Sequence, residues 1–215
     1  MTPAISRAAR IARAFALVAV GAIVGASLVA CGSSAASFDP AGPCTTDGRA
    51  AGAYPELERQ LPRDIDGTAP TTVDSGRSCS TAALSTYASH GISELRYAGA
   101  TWDEGGGNAT VLALMTTPQG QPTLEQPWVE EFYHAGASAS TKTENIQVTR
   151  PTIDGTQVFS LETLNDLSLQ TLLIWSATGP VHVVIVATRV EPSASRDAHD
   201  QRVKAALEAS KGPAR

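Results

Sequence analysis

Apolar residues recur with the alternation of strands or the spacing of helices over most of the chain, and the changes of period mark the predicted elements. The first is a short helix over 54–61. The second is a helix over 81–89, with Ser80 as its N-cap and Gly91 after its last turn. The segment between them, 63–77, is rich in Asp, Gly and Pro and therefore predicts a loop.

Strand periodicity appears three times, each time as two runs separated by turn residues. The predicted hairpins join 92–102 to 109–116 across the glycine-rich tip 103–108, two strands within 144–164 around Asp154-Gly155, and 169–177 to 181–190. Apart from His182, residues 181–186 are all apolar, so both faces of this last strand are predicted to be buried. Such a strand belongs in the centre of a sheet that helices cover.

A third helix is predicted between the first two hairpins. Thr123 begins the capping-box sequence Thr-Leu-Glu-Gln, and Leu124, Trp128 and Phe132 recur every fourth residue along one stripe. We therefore expect this helix to begin at Thr123 and to end at Gly136.

A fourth helix is predicted near the carboxyl end, capped by Ser193 or Ser195 and ending near Gly212-Pro213. The order of elements predicts an α+β fold, with a mainly antiparallel sheet of about six strands and helices packed on it. This order resembles the PsbP/Mog1-like sandwich, a fold also found in some actinobacterial lipoproteins. The resemblance is topological and implies no functional residue.

The amino-terminal segment has the pattern of a signal peptide. Arg7, Arg10 and Arg13 form a basic region, and the 16 residues 14–29 that follow carry no charge. An apolar run of this length is shorter than the roughly 20 residues that a bilayer-spanning helix needs. Residues 1–30 are therefore predicted to be a cleaved export signal.

The end of this segment, Leu28-Val29-Ala30-Cys31-Gly32, resembles a bacterial lipobox. The resemblance implies cleavage before Cys31 and a diacylglyceryl group on its thiol, which would anchor the protein on the extracytoplasmic face of the cell membrane. A conventional secretory signal is the alternative. Residues 31–43 are then a lipidated flexible tether, and 44–215 form a single α+β domain. Richness in Ala, Gly and Thr is typical of an actinobacterial source.

Composition and charge exclude one class of partner. The chain is 42% hydrophobic and 17% charged, with a net charge of −5 and a pI near 5.3, which argues against a nucleic-acid binder. Without residues 1–30 the chain loses three arginines and no acid, so 13 basic face 21 acidic groups, a net charge of −8. Anionic headgroups repel such a surface, so the predicted membrane attachment is the lipid.

The two remaining cysteines, Cys44 and Cys79, form an even pair in an exported chain and predict a disulfide. Two free thiols and a metal site are weaker alternatives. A metal site would need further ligands, and no His or third Cys lies within ten residues of Cys44. No metal and no cofactor are predicted.

Catalytic motifs are absent from the sequence: it has no Gly-x-Ser-x-Gly elbow, no phosphate-binding loop and no His-Glu-x-x-His helix. The large aromatic residues Trp102, Trp128 and Phe132 are candidates for a ligand or partner surface, although so few aromatics also suit a core. The predicted function is a non-enzymatic binding or accessory module of the cell envelope, with an envelope protein or a lipid as its partner. The alternatives are a lipid or glycan carrier with an apolar pocket under the Trp128 helix, and an envelope hydrolase built on His182 or His134.

Overall fold

Eight strands form one antiparallel sheet that runs through the described chain. The structure, a computed structural model, describes residues 38–153, 155–165, 168–190 and 196–212. The strands are β1 (Gly48–Ala50), β2 (Thr72–Ser78), β3 (Leu95–Gly105), β4 (Asn108–Thr116), β5 (Thr143–Thr149), β6 (Thr152–Ile153), β7 (Thr156–Gln157), β8 (Phe159–Asn165), β9 (Ser168–Ser176) and β10 (Val181–Arg189). The helices are α1 (Pro55–Glu58), α2 (Thr81–Leu84), a 3₁₀ helix (Ser85–His90), α3 (Gln126–Ala139) and α4 (Arg196–Lys211).

The predicted α+β class with a mainly antiparallel sheet is confirmed. The sheet has eight strands, where about six were predicted, and their order is β1-β2-β3-β4-β10-β9-β8-β5. The two additional strands are β1, where no element is predicted, and β2, most of which lies in the predicted loop 63–77. The prediction of a loop over 63–77 was wrong for β2. Its buried residues are polar, and their burial is made possible by hydrogen bonds to other parts of the chain and not by apolar packing. Ser75 accepts a hydrogen bond from the backbone N–H of Tyr54 and donates one to Glu58.

The sheet separates two apolar clusters, one on each face. On the face that α3 and the 3₁₀ helix cover, called here the α3 face, Val183 and Ile185 of β10 are buried. On the opposite face, the α4 face, Val184 and Val186 pack with α4. Because β10 lies between β4 and β9, the predicted central strand with two buried faces is confirmed. Each such side chain contributes about 1.5–3 kcal/mol on full burial.

The helix over 81–89 was predicted with the right ends but not the right type. Ser80 accepts a hydrogen bond from the backbone N–H of Ala83, 3.2 Å away, as expected of an N-cap. The α-helical turn continues as a 3₁₀ helix from Ser85, and Gly91 ends it with a φ of 78°, a conformation that favours glycine. The helix predicted over 54–61 is one turn, Pro55–Glu58.

Helix α3 begins at Gln126 and not at the predicted Thr123. Pro127 gives the physical reason. In a helix capped at Thr123 it would occupy the fourth position, where its missing N–H removes the first intrahelical hydrogen bond, whereas it is tolerated in the first turn of a helix that begins at Gln126. Gly136 does not end the helix, because Ala137 still packs against the core and the helix continues to Ala139.

Residues 38–43, predicted as part of a flexible tether, contact the domain. The Arg77 side chain, only 2% exposed, donates hydrogen bonds to the backbone carbonyls of Asp39, Gly42 and Pro43, and its guanidinium lies 5.6 Å from the Phe38 ring centroid. In the structure these residues therefore lie against the domain. The predicted signal peptide, Cys31, Asp154, the caps Ser193 and Ser195, and Pro213 lie outside the described residues.

Candidate functional site

The predicted disulfide is present, with the Cα atoms of Cys44 and Cys79 5.5 Å apart. Asp47 stabilises the chain beside it by accepting hydrogen bonds from the backbone N–H groups of Cys79 and Ser80. Burial alone would raise the pKa of Asp47, but these hydrogen bonds, together with one from the Ser80 hydroxyl, outweigh it and lower the pKa. The bridge thus joins the segment before β1 to the end of β2.

The three aromatic residues proposed as one surface lie on opposite faces of the sheet. Trp128 and Phe132 are half-buried on the α3 face, where Trp128 stacks on His90 and Phe132 stacks on Tyr87, with ring centroids 4.6 Å and 4.7 Å apart. Trp102 is 4% exposed and belongs to the α4 face. The structure therefore does not bring Trp102 together with the other two.

The inner side of α3 packs against side chains of the sheet core. Val129 is completely buried there, and burial raises the pKa of Tyr133, on the next turn, to about 12. His90 extends from the 3₁₀ helix to Glu131 of α3, with 2.7 Å between Nε2 and a carboxylate oxygen. These contacts make the underside of α3 a packed layer.

A cleft of about 560 Å³ lies on the other side of the molecule, between the loop 65–71, the end of β3 and α4. Its apolar wall is built from Trp102, Ile65, Ala198 and Ala205. The indole N–H of Trp102 donates a hydrogen bond of 2.8 Å to the carbonyl of Thr68, so the tryptophan holds the loop in place. The volume is within the range of small-molecule sites.

Polar and charged side chains surround this wall. Arg202 of α4 forms an ion pair with Glu104 of β3 across the cleft. Asp66 stands on the loop in a left-handed conformation with a φ of 51°, and Gln201 is exposed on the helix side. The cleft thus combines an aromatic wall with hydrogen-bonding groups of both charges, an arrangement that can orient a small polar molecule.

Helix α4 supplies one side of the cleft, and His199 fixes it to the sheet. The imidazole is 3% exposed, with Nε2 2.8 Å from the hydroxyl of Thr171 on β9 and Nδ1 2.7 Å from the hydroxyl of Thr188 on β10. Burial lowers the pKa of His199. Arg196, one turn before, pairs with Glu162 of β8.

His199 is not among the predicted site residues, although its spacing along the last helix is informative. His199 lies on the same stripe of the last helix as Val203 and Ala206, so an inward-facing histidine followed from helical spacing. Of the two histidines considered as catalytic bases, His134 is exposed on α3. His182 stacks on Trp175 with ring centroids 5.1 Å apart, and burial lowers its pKa.

A second groove, of about 420 Å³, lies beside the tip of the β3–β4 hairpin on the α3 face, beyond the part that α3 covers. Ala109, Val111, Ile185 and Ala187 form most of its floor, and three consecutive glycines, Gly105 to Gly107, turn with positive φ at its rim. This groove is more apolar than the cleft beside Trp102.

Within the described ranges, no three or more His, Cys, Asp or Glu side chains are grouped so as to hold a metal ion. The helices in the described part of the chain are all too short or too polar to cross a bilayer. No protein-family model matches the chain, and neither a curated protein nor a solved structure shows significant similarity to it.

Proposed function

We propose that the chain is a lipoprotein anchored through Cys31 to the extracytoplasmic face of the cell membrane, and that its domain is a non-enzymatic binding module. The basic region, the uncharged run and the lipobox-like sequence stand in the order that export and lipidation require. The Cys44–Cys79 disulfide supports an oxidising compartment, because such bonds persist mainly outside the cytosol.

The observation that carries the binding role is the cleft beside Trp102. Its wall comes from three separate parts of the chain, and its polar rim offers a carboxylate, an amide and a guanidinium to one ligand. The lining carries three carboxylates, Asp66, Asp103 and Glu104, against the one guanidinium of Arg202, so the cleft has no excess of positive charge. A small polar molecule of the envelope, such as a glycan fragment, fits this chemistry better than a phosphate.

The anchor is tested by fractionating an actinobacterial host that expresses the full chain, and by measuring the intact mass. Wild-type protein is expected in the membrane fraction, with the mass of a chain that begins at an acylated Cys31. Cys31→Ser is expected to abolish the acyl mass and the membrane association, whereas Ser34→Ala is the control and keeps both. A wild-type protein without acyl mass would contradict the proposal.

The binding role is tested by native mass spectrometry of the full chain, followed by titration with the small molecule that dissociates on denaturation. Ala198→Leu extends a larger side chain from α4 into the cleft and is expected to weaken binding at least tenfold. Ala135→Leu, on the exposed side of α3, is the matched control. Equal affinity of the two variants, or absence of any retained molecule, would overturn the assignment of the cleft.

A carrier role for lipid is the second candidate, and the groove at Val111 and Ile185 is the observation that favours it. In the same spectrum a carried lipid would give an adduct with an acyl-chain mass. Ala187→Trp, which fills the groove, is expected to remove that adduct, whereas Ala198→Leu leaves it unchanged.

A further inference from the structure

The two halves of α4 are attached to the sheet by different contacts. In the carboxyl-terminal half, Ala206 and Leu207 are buried in the apolar cluster of the α4 face, and Val203, at the middle of the helix, packs against this cluster. The amino-terminal half lies over polar side chains of the strands and is attached by His199 and by ion pairs. It is also the half that contributes Ala198 and Arg202 to the cleft.

His199 is the one buried side chain in the polar half. A neutral imidazole has one donor and one acceptor nitrogen, and the hydroxyls of Thr171 and Thr188 can accept from one and donate to the other. A protonated ring has two donors and a charge that burial disfavours. The position between these two hydroxyls therefore favours the neutral ring over the protonated ring.

The charged groups around His199 do not form a contact that would stabilise its cation. On its own helix these are Arg196, Asp200 and Arg202, with effects of opposite sign. From the sheet, Glu162 of β8 faces it but is bound to Arg196, and Arg189 of β10 lines the same side. The strands in direct contact, β9 and β10, present neutral hydroxyls.

We propose that His199 is a proton-operated latch: protonation releases the amino-terminal half of α4 from the sheet and opens the wall of the cleft beside Trp102. The release itself needs no ligand. Its consequence, loss of ligand on acidification, rests on the binding function proposed above. Ala206 and Leu207 keep the other half in place, so the helix pivots and does not leave.

The size of the effect follows from linkage. In the released state the imidazole regains the ordinary histidine pKa of 6.5, so protons bind the released state more tightly than the seated state. When the pH falls from 7.5 to 5.0, the equilibrium constant for release can rise by up to about 30-fold. This upper limit applies if the His199 ring in contact with the sheet stays neutral at pH 5.0.

The test is amide hydrogen exchange of the full chain, expressed as protection factors, which remove the intrinsic pH dependence of exchange. The wild-type protein is expected to lose protection by up to about 30-fold at pH 5.0 in the amino-terminal half of α4, with its carboxyl-terminal half much less affected. His199→Gln is expected to abolish this pH response. His182→Gln, which removes the other histidine whose pKa burial lowers, is the matched control and keeps it.

Two results would overturn the latch: equal loss of protection throughout α4 and the sheet, or an unchanged pH response in His199→Gln. Thr188→Val provides a second variant, because it removes one hydroxyl partner and keeps the imidazole. It is expected to lower protection of the same half at pH 7.5 already, and unchanged protection would contradict the proposal. Since none of these measurements uses a ligand, failure of the latch is distinguishable from failure of the binding function.

Discussion

Replacement of Arg77 by methionine tests whether residues 38–43 belong to the folded domain. The guanidinium donates to three backbone carbonyls, at 2.7 Å to Gly42, 2.9 Å to Pro43 and 3.1 Å to Asp39, and lies against the Phe38 ring. Methionine has a similar length and no donor. Arg77→Met therefore removes the hydrogen bonds while keeping most of the apolar contact along the side chain.

The expected loss of stability is about 3 kcal/mol. A hydrogen bond to a charged group contributes roughly 1.5–3 kcal/mol, and three would give more than 4. The loss is smaller here because Asp39 and Pro43 are exposed, so water can bind their carbonyls once the arginine is gone. For a domain of this size, about 3 kcal/mol corresponds to a decrease in Tm of roughly 6–12 °C.

The assay is urea unfolding at pH 7.5, with amide exchange of residues 38–43 as a local measurement. Arg49→Met is the control, because Arg49 is on the neighbouring strand β1 and its pair with Asp74, at 3.5 Å, is partly exposed. It is expected to change the free energy of unfolding by less than about 0.5 kcal/mol. The reasoning is refuted if the two variants are equally stable, or if residues 38–43 keep their protection in Arg77→Met.

Three further predictions concern stability. Replacement of both Cys44 and Cys79 by serine opens a loop with a sequence separation of 35, and it is expected to lower the free energy of unfolding by about 4 kcal/mol in the chain-entropy model. A change below about 1 kcal/mol in urea unfolding would contradict this prediction. Because burial lowers the pKa values of His182 and His199, their contribution is present above pH 6.5 and is lost as the pH falls through the folded-state pKa values. The urea midpoint is therefore expected to fall from pH 7.5 to 5.0 and to fall less in the double glutamine variant; an equal fall in both would contradict it. Val129→Ala, at a completely buried position, is expected to cost about 2 kcal/mol, and a wild-type Tm would exclude the packed layer under α3.

Local sequence patterns were sufficient to predict those elements whose structure depends on residues close together in the chain. Ser80 and Gly91 mark the two ends of their helix, because a side-chain cap and a left-handed glycine each act within a few residues. The run 181–186 indicated a central strand because a strand buried on both faces needs apolar residues at consecutive positions.

The same patterns failed where burial depends on partners distant in sequence. Strand β2 has polar residues at its buried positions, and Ser75 and Arg77 are satisfied by groups 17 to 38 residues away. Polar residues whose hydrogen-bond partners are distant in sequence cannot be distinguished from loop residues by the local sequence pattern. The start of α3 differs from the prediction for another reason, because Pro127 disfavours the helix start that the capping-box pattern at Thr123 predicts.

By itself, the sequence determined the α+β class, the central hairpins and the pairing of Cys44 with Cys79, since periodicity and cysteine count depend on composition along the chain. Only the tertiary structure decided that Trp102 faces away from Trp128, and that it forms a cleft with the last helix. The tertiary structure also decided that His199 lies between two threonines of different strands. The physical reason is that a strand alternates its faces every residue, so which residues meet across the sheet depends on register and strand order, and these follow from the packing of the whole chain.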